Sequence, residues 1–390
     1  MTDPSLSPKS SASKASRHYL RRELAQALPP PMAVSGPVAW IRDNLISSRF
    51  NIVMTIVSAL LIYWLIPPVL NFTIFDAIWS GADREACLIT DARPVVGACW
   101  PFVFERFNYF NFGSYPVDER WRPIIFFILL AISVVWVLWL NAPRRDLGLL
   151  FAFVVTPILS FWLLSGGFGL KPVTTNLWGG ILISLIVASV GIVFSLPIGI
   201  LLALGRRSNM PMVKLFSVIL IEFVRGVPFI TVLFMASNML PLFVPEQYAP
   251  DKLMRALIAA AIFASAYMAE VVRAGLQALP KGQYEGAMAM GLGYWQMMRL
   301  IILPQALKVT IPNIVNTYIG LFKDTTLVVV VGLFDFLKTI EAARIDPKWA
   351  APTTSATGYV YAAIFYFLCC YAMSRYAKAT EERLAVADKR

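Results

Sequence analysis

Three groups of ionisable residues interrupt otherwise apolar stretches of this chain. Glu222 and Arg225 stand three residues apart, Glu270 and Arg273 repeat that spacing, and Lys323 and Asp324 are adjacent, with Thr325, Thr326 and Asn316 close by in sequence. Charged groups inside a bilayer are costly, so they face a cavity, a pathway or a partner. On a helix, the i,i+3 spacing lets Glu222 pair with Arg225 and Glu270 with Arg273. For the second pair a structural role is the simpler reading, with Arg273 anchoring at the headgroups. Gly226 and Pro228 follow Arg225 and should break or kink the segment there, freeing backbone groups that a cavity must satisfy. Enzyme chemistry finds little material. The single histidine, His18, supports neither a zinc site nor a histidine-based triad. No G-x-x-x-x-G-K-[ST] loop is present to cradle nucleotide phosphates.

The elements that must carry these residues are membrane helices. Of 390 residues, 58% are hydrophobic and only 15% charged, and the apolar residues cluster into long runs, which identifies an integral membrane protein of all-α class. The net charge of +11 lies mainly beside those runs instead of forming one groove or arm, which argues against nucleic-acid binding. About eight segments approach the length needed to cross a bilayer, near 52–70, 123–140, 147–165, 179–204, 216–243, 253–276, 307–332 and 357–376.

Lys and Arg in the short loops set the orientation. Arg42 and Arg49 precede the first span, Arg144 and Arg145 separate the second and third, and Arg206, Arg207 and Lys214 follow the fourth, so these sides should be cytoplasmic. The loops 81–120, 245–252 and 336–356 then fall outside, and both termini inside. Arg120 and Arg122 sit against this rule on the outer side. The first apolar run starts near Ile52, too late for a signal peptide, so residues 1–51 read as a retained cytoplasmic tail, disordered at least to about Arg17. Cys87 and Cys99 share the outer loop, where an oxidising compartment permits either a short disulfide or two free thiols.

The segment "YEGAMAMGLGYWQMMRLIILP", Tyr284 to Pro304, lies by this alternation in the cytoplasm. Pro280 suits the first turn of a helix over Lys281 to Met290, Gly291 can take the left-handed conformation that ends it, and Gly293 can open a second helix ending at Pro304. Gly282, Gly286, Ala287 and Ala289 keep the first helix narrow, which suits close approach by another protein. The alternative is an interfacial helix on lipid headgroups, which would favour a basic face and bulky anchors.

Glu285, Gly286, Ala287, Gly291, Ile301, Leu303 and Pro304 resemble the EAA loop of ABC importer permeases, with Gly286 where a second alanine is usual. The stretches "NLWGG", "IEFVRGVPFI", "AYMAEVVRAGLQALPKGQYEGA" and "FKDTTL" narrow the resemblance to the polar amino acid permeases, over about 171–383. The resemblance implies a type I ABC importer permease core of five helices (171–383, coupling loop 280–304). A three-helix N-terminal extension with a periplasmic loop (52–170) precedes that core, and a short cytoplasmic tail (384–390) follows it.

It further implies a channel-forming subunit of an ATP-driven importer of L-amino acids in the bacterial inner membrane, and no enzyme. No cofactor is expected in this chain; ATP and Mg belong to a dimeric cytoplasmic ATPase into which the loop seats as a coupling helix. A second permease subunit, a periplasmic amino acid-binding protein and membrane lipid complete the expected partners. An amino acid zwitterion needs an acceptor for its ammonium and a donor for its carboxylate. Asp324, Thr325, Thr326 and Asn316, with Lys323 or Arg225 supplying positive charge, are therefore candidates for the substrate path, against a structural cluster at the subunit interface. The rival functional class is an ion-coupled secondary amino acid transporter, which often carries two related halves; no such repeat is visible.

Overall fold

The computed structural model describes residues 36–91, 93–139, 142–167 and 169–388. His18 and the greater part of the expected N-terminal tail lie outside them. The described residues fall into two compact units, divided between Val69 and Leu70. The second and third apolar runs lie in the second unit, where Phe126 and Leu164 share a buried cluster with residues of the later helices.

The first unit carries α1 (Pro37–Asn44) and most of α2 (Arg49–Leu70), which continues as a π-helical turn to Phe75. In the second, α3 (Trp100–Phe112) lies within the expected outer loop. After it come α4 (Trp121–Leu138), then α5 (Arg145–Leu150) and α6 (Thr156–Ser165) joined by a π-helical segment. Next are β1 (Gly179–Gly180), α7 (Ile181–Arg206), α8 (Pro211–Gly226), α9 (Phe229–Phe234) and α10 (Leu240–Phe243). The chain closes with α11 (Lys252–Ala278), α12 (Lys281–Ala289), α13 (Tyr294–Met297), α14 (Leu303–Asp324), β2 (Phe334–Asp335), α15 (Phe336–Ala343) and α16 (Thr354–Asp388).

Among the described residues seven helical stretches are long and apolar enough to cross a membrane, and eight if the pair Pro211–Gly226 and Phe229–Phe243, bent by 108° at its break, is one span. The bend falls where Gly226 and Pro228 interrupt the run. α16 is longer than the expected span and continues through the start of the segment read as a separate C-terminal tail.

The centre of the second unit is α7 packed along α11. α11 buries Ala256, Ala259, Ala260, Ala264, Ala266 and Ala269, small side chains that let two backbones approach where lipid supplies no hydrophobic drive between helices. α8, α9 and α14 close around this pair, and α4 and α6 of the extension add Phe126 and Leu164 to the same buried cluster.

β1 pairs in parallel with β2, Gly180 opposite Asp335. Gly180 has φ +67°, and a Cβ there would lie 2.1 Å from the Phe110 carbonyl oxygen of α3, so only glycine admits this meeting of three backbones. Cys87 and Cys99 form a disulfide with Cα atoms 5.7 Å apart. The Cys99 N–H donates to Thr357 Oγ1 (2.8 Å), Lys348 pairs with Glu105 (2.7 Å) and Arg106 with Asp346, and Trp349 is fully buried against Phe102. The Lys348 ammonium holds the Glu105 carboxyl below its usual range. The loops 81–120 and 336–356 thus form one body. Arg122, which contradicted the charge rule, is almost fully buried, paired with Glu119 at 2.9 Å and donating to the Lys171 carbonyl at 2.7 Å. Its charge is consumed internally and does not weigh on orientation.

Candidate functional site

α12 follows the backbone geometry its residues dictate. Pro280 precedes its first residue, and Gly291 (φ +74°) reverses the chain, with Gly291 N–H donating to Met288 O (2.9 Å) and Leu292 N–H to Ala287 O (3.3 Å). Gly293 then caps α13, its N–H donating to Gln296 Oε1 at 3.2 Å. The second helix does not end at Pro304. Met298–Ile302 is a π-helical turn and Leu303 starts α14, so Pro304 lies in a first turn where its missing N–H breaks no ladder, and the rod runs on to Asp324.

The two faces of α12 differ. Inward, Ala287 is buried beside Leu276, Met297 and Met298. The Tyr284 hydroxyl donates to the Leu276 carbonyl (2.9 Å), and Arg207 donates to Tyr284 Oη (3.1 Å) while its guanidinium covers the ring at 5.5 Å. Gln305 Nε2 donates to Gln283 Oε1 (3.0 Å) and to Ile301 O (3.0 Å). Outward, Gly282, Glu285, Gly286 and Ala289 are exposed, with nothing near the missing side chains of either glycine. Met288, Met290 and Trp295 flank this ridge, the last two more than two-thirds exposed. Ala287 is therefore not on the open face, while Met290 and Trp295, which spacing did not single out, are. Ile301 and Leu303 are half-buried and Pro304 exposed.

Beside this loop lies a charge cluster that spacing misread. Glu222 does not pair with Arg225. Glu222 meets Arg206 of α7 at 2.8 Å, and Arg225 meets Glu270 of α11 at 3.5 Å while stacking over Tyr267. Arg206 also reaches Glu270 at 3.4 Å. Arg273 does pair with Glu270, its Nε 3.0 Å from both oxygens, and donates to Gln277 Oε1 at 2.6 Å. Three guanidiniums and two carboxylates thus lock the ends of α7, α8 and α11 just above α12. For Glu222 and Arg225 the sequence showed only the partner one turn away; the charge that each meets belongs to another helix.

Along α14, Asn313, Asn316 and Lys323 are exposed and share one face, with Gly320 between them. Asn313 was not among the residues singled out, although its i,i+3 relation to Asn316 was legible. Thr325 is buried, donating to Phe322 O (2.8 Å), and Thr326 donates to Lys323 O (3.0 Å), so both hydroxyls satisfy their own helix end. Asp324 is half-buried beside Lys323. Arg225 is held by Glu270 in the charge cluster instead of joining this group.

The family described as binding-protein-dependent transport system inner membrane component matches residues 195–386. The inner membrane amino-acid ABC transporter permease protein YhdY of Escherichia coli (strain K12) is 50% identical over 350 residues, 90% of this chain and 93% of that protein. The chain belongs to the amino-acid ABC transporter permeases. The glutamate/glutamine/aspartate/asparagine transport system permease protein BztC of Rhodobacter capsulatus is 37% identical over 430 residues, covering 94% of this chain and 98% of the relative. A solved amino acid ABC transporter with histidines is 28% identical, aligned over 52% of this chain and 92% of that one, with a TM-score of 0.46.

This permease is accordingly a multi-pass subunit of the bacterial inner membrane that forms part of an ATP-driven amino acid importer. It is a transport component, and hydrolysis belongs to a separate ATPase subunit that works with a binding protein. The resemblance carried by the EAA loop and its flanking stretches pointed to this family.

Proposed function

We propose that residues 280–304 are the element on which the cytoplasmic ATPase docks, and that the polar stripe of α14 lines the amino acid path together with a second, non-identical permease subunit. The observation that carries the first part is the asymmetry of α12. Its inner face is fixed by Tyr284, Ala287 and Gln283, while its outer face is narrow, unpacked and flanked by exposed Met288, Met290 and Trp295, a surface suited to a protein cleft. The second part rests on Asn313, Asn316 and Lys323, which as exposed polar groups in a spanning helix need a partner or an aqueous path in place of lipid. Lys323 and Asp324 offer opposite charges to a zwitterion, and polar L-amino acids, the class in the name of the Rhodobacter relative, fit that pair.

In this reading ATP and Mg are bound by a dimeric ATPase and no cofactor by this chain, a periplasmic binding protein delivers substrate to the outer loops, and both termini are cytoplasmic. Residues 171–383 act as the transport core and 52–170 as an extension of it. The test places single cysteines at Met288 and, as a buried control, at Ala287, in a chain lacking Cys369 and Cys370, and seeks crosslinks to cysteines in the ATPase cleft with and without nucleotide. Crosslinking at Met288 but not Ala287 supports docking by this face; the reverse, or none in an assembled complex, refutes it. For the path, Asp324→Asn with unaltered uptake rate and selectivity counts against the substrate role.

A further inference from the structure

The two charges proposed for the amino acid path stand where α14 gives way to another helix type. After Asp324 the chain winds as a 3₁₀-helix over Thr325–Val331, so the turn per residue changes from about 100° to about 120° beside Lys323 and Asp324. A rotation of this end by one residue would point Asp324 where Lys323 points. The helix ladder alone does not fix that direction, so the side chains that anchor the end must.

Three neighbouring side chains anchor it on the side away from the stripe of Asn316 and Lys323. Leu321 sits in the notch left by Gly191 of α7, where an added Cβ would lie 2.6 Å from its Cδ2. Thr325 is fully buried, and its hydroxyl donates to the Phe322 carbonyl (2.8 Å). Phe322 is almost fully buried and meets two rings of α16. Its centroid lies 5.5 Å from that of Tyr366, edge-on, and 6.2 Å from that of Phe365, within the range of favourable aromatic pairs. Phe365 in turn meets Phe336, the first residue of α15, edge-on at 4.8 Å. Phe336 belongs to the buried cluster that holds Cys99 and Phe102, so the rings that seat the end of α14 are continuous with the body formed by loops 81–120 and 336–356. Lys323 and Asp324 project from this seat, the first exposed and the second half-buried.

We propose that Phe322 is a positioning residue for transport. Held by Phe365 and Tyr366, it sets the rotation at which Lys323 and Asp324 are presented to the substrate, and with it the discrimination between amino acids of different side-chain charge; it touches no substrate itself. This rests on the reading of Lys323 and Asp324 as path residues. The seat lies at the end of α14 opposite to Leu303, so a change there leaves α12 and its neighbours in place.

A double-mutant cycle on the assembled importer, reconstituted in vesicles with saturating binding protein, tests the two readings separately. Uptake of L-glutamate and of L-glutamine, which differ by one side-chain charge, is measured per assembled complex for wild type, Phe322→Ala, Asp324→Asn and the double variant, with basal ATP hydrolysis alongside. Phe322→Ala should change the glutamate-to-glutamine uptake ratio at least threefold, with basal hydrolysis within twofold of wild type, and should add nothing to the change that Asp324→Asn makes alone. Phe367→Leu, at an exposed ring of α16 stacked on Tyr371, should match wild type. Should Phe322→Ala not assemble, Phe365→Leu, which removes the ring that meets both Phe322 and Phe336 and keeps an apolar side chain, goes through the same cycle with the same expected result. If Asp324→Asn alters the ratio while the aromatic variant leaves it unchanged, or if the two changes multiply in the double variant, the positioning role is overturned and the path reading stands. A ratio unmoved by Asp324→Asn overturns both.

Discussion

Replacing Gly180 with alanine tests how the extension is joined to the core. The residue has φ +67° and ψ −147°, a region reserved for glycine that costs an L-residue about 1–3 kcal/mol. The new Cβ would lie 2.1 Å from the Phe110 carbonyl oxygen, where ordinary contact begins at 3.4 Å, so β1 and the end of α3 must separate by about 1.3 Å. Overpacking against backbone that cannot rotate away adds about 1–3 kcal/mol, and the shift falls on the pairing of Gly180 with Asp335. Gly167→Ala is the internal reference: φ is +109°, yet nothing lies within 4 Å, so it should show backbone strain alone. The difference between the variants is then about 2 kcal/mol, or roughly 4 °C in apparent Tm. Because unfolding of a membrane protein is seldom reversible, the assay compares the fraction remaining monodisperse after timed heating of both variants side by side. If Gly180→Ala survives as well as Gly167→Ala, the three backbones do not meet as described.

Asp335 is fully buried, caps α15 by accepting from the Leu337 (3.0 Å) and Lys338 (3.2 Å) N–H groups, and is pushed up to about 6 by burial. Its folded value lies above the ordinary 3.8, so the folded state takes up a proton as pH falls through 6. Stability should therefore drop by up to about 3 kcal/mol as pH rises from 4 to 7, and Asp335→Asn should flatten that profile in thermal melts across this range. Glu270→Gln removes the negative charge shared by Arg206, Arg225 and Arg273 and should cost about 1–3 kcal/mol. Glu222→Gln, at a half-exposed group with one partner, should cost under about 1 kcal/mol, a ranking that melts of the two variants will check. Gly291→Val forbids the φ of +74° that ends α12 and should abolish ATPase co-purification while membrane insertion, followed by protease protection, is unchanged.

Features governed by residues near one another in the chain were legible in advance. The apolar runs gave the spans, Gly226 and Pro228 the break between α8 and α9, and Gly291 the turn after α12. What escaped was decided between distant residues. Glu222 and Arg225 sit one turn apart, and i,i+3 spacing predicts their pairing, yet Arg206 and Glu270 approach from neighbouring helices and take both charges. Pro304 looked like a terminator because proline usually is one; the π-helical turn before it places it in a first turn, and α13 is thereby continuous with α14 as one rod. The two-residue pairing of β1 with β2 joins segments too short to show any strand period.

The geometry around α12 has a mechanical consequence. Tyr284 reports to α7 through Arg207 and to α11 through the Leu276 carbonyl, and the charge cluster ties the same ends of α7 and α11 to α8. The chain leaving α12 passes through one turn into α14, whose far end carries Lys323 and Asp324. A displacement of the proposed docking face therefore has two outlets, the clasped bundle of α7, α8 and α11 and the rod of α14. The residues proposed for the amino acid path lie on only one of these two outlets, α14, which is packed against α11 so closely that a Cβ on Gly275 would lie 2.6 Å from the Ala306 carbonyl oxygen.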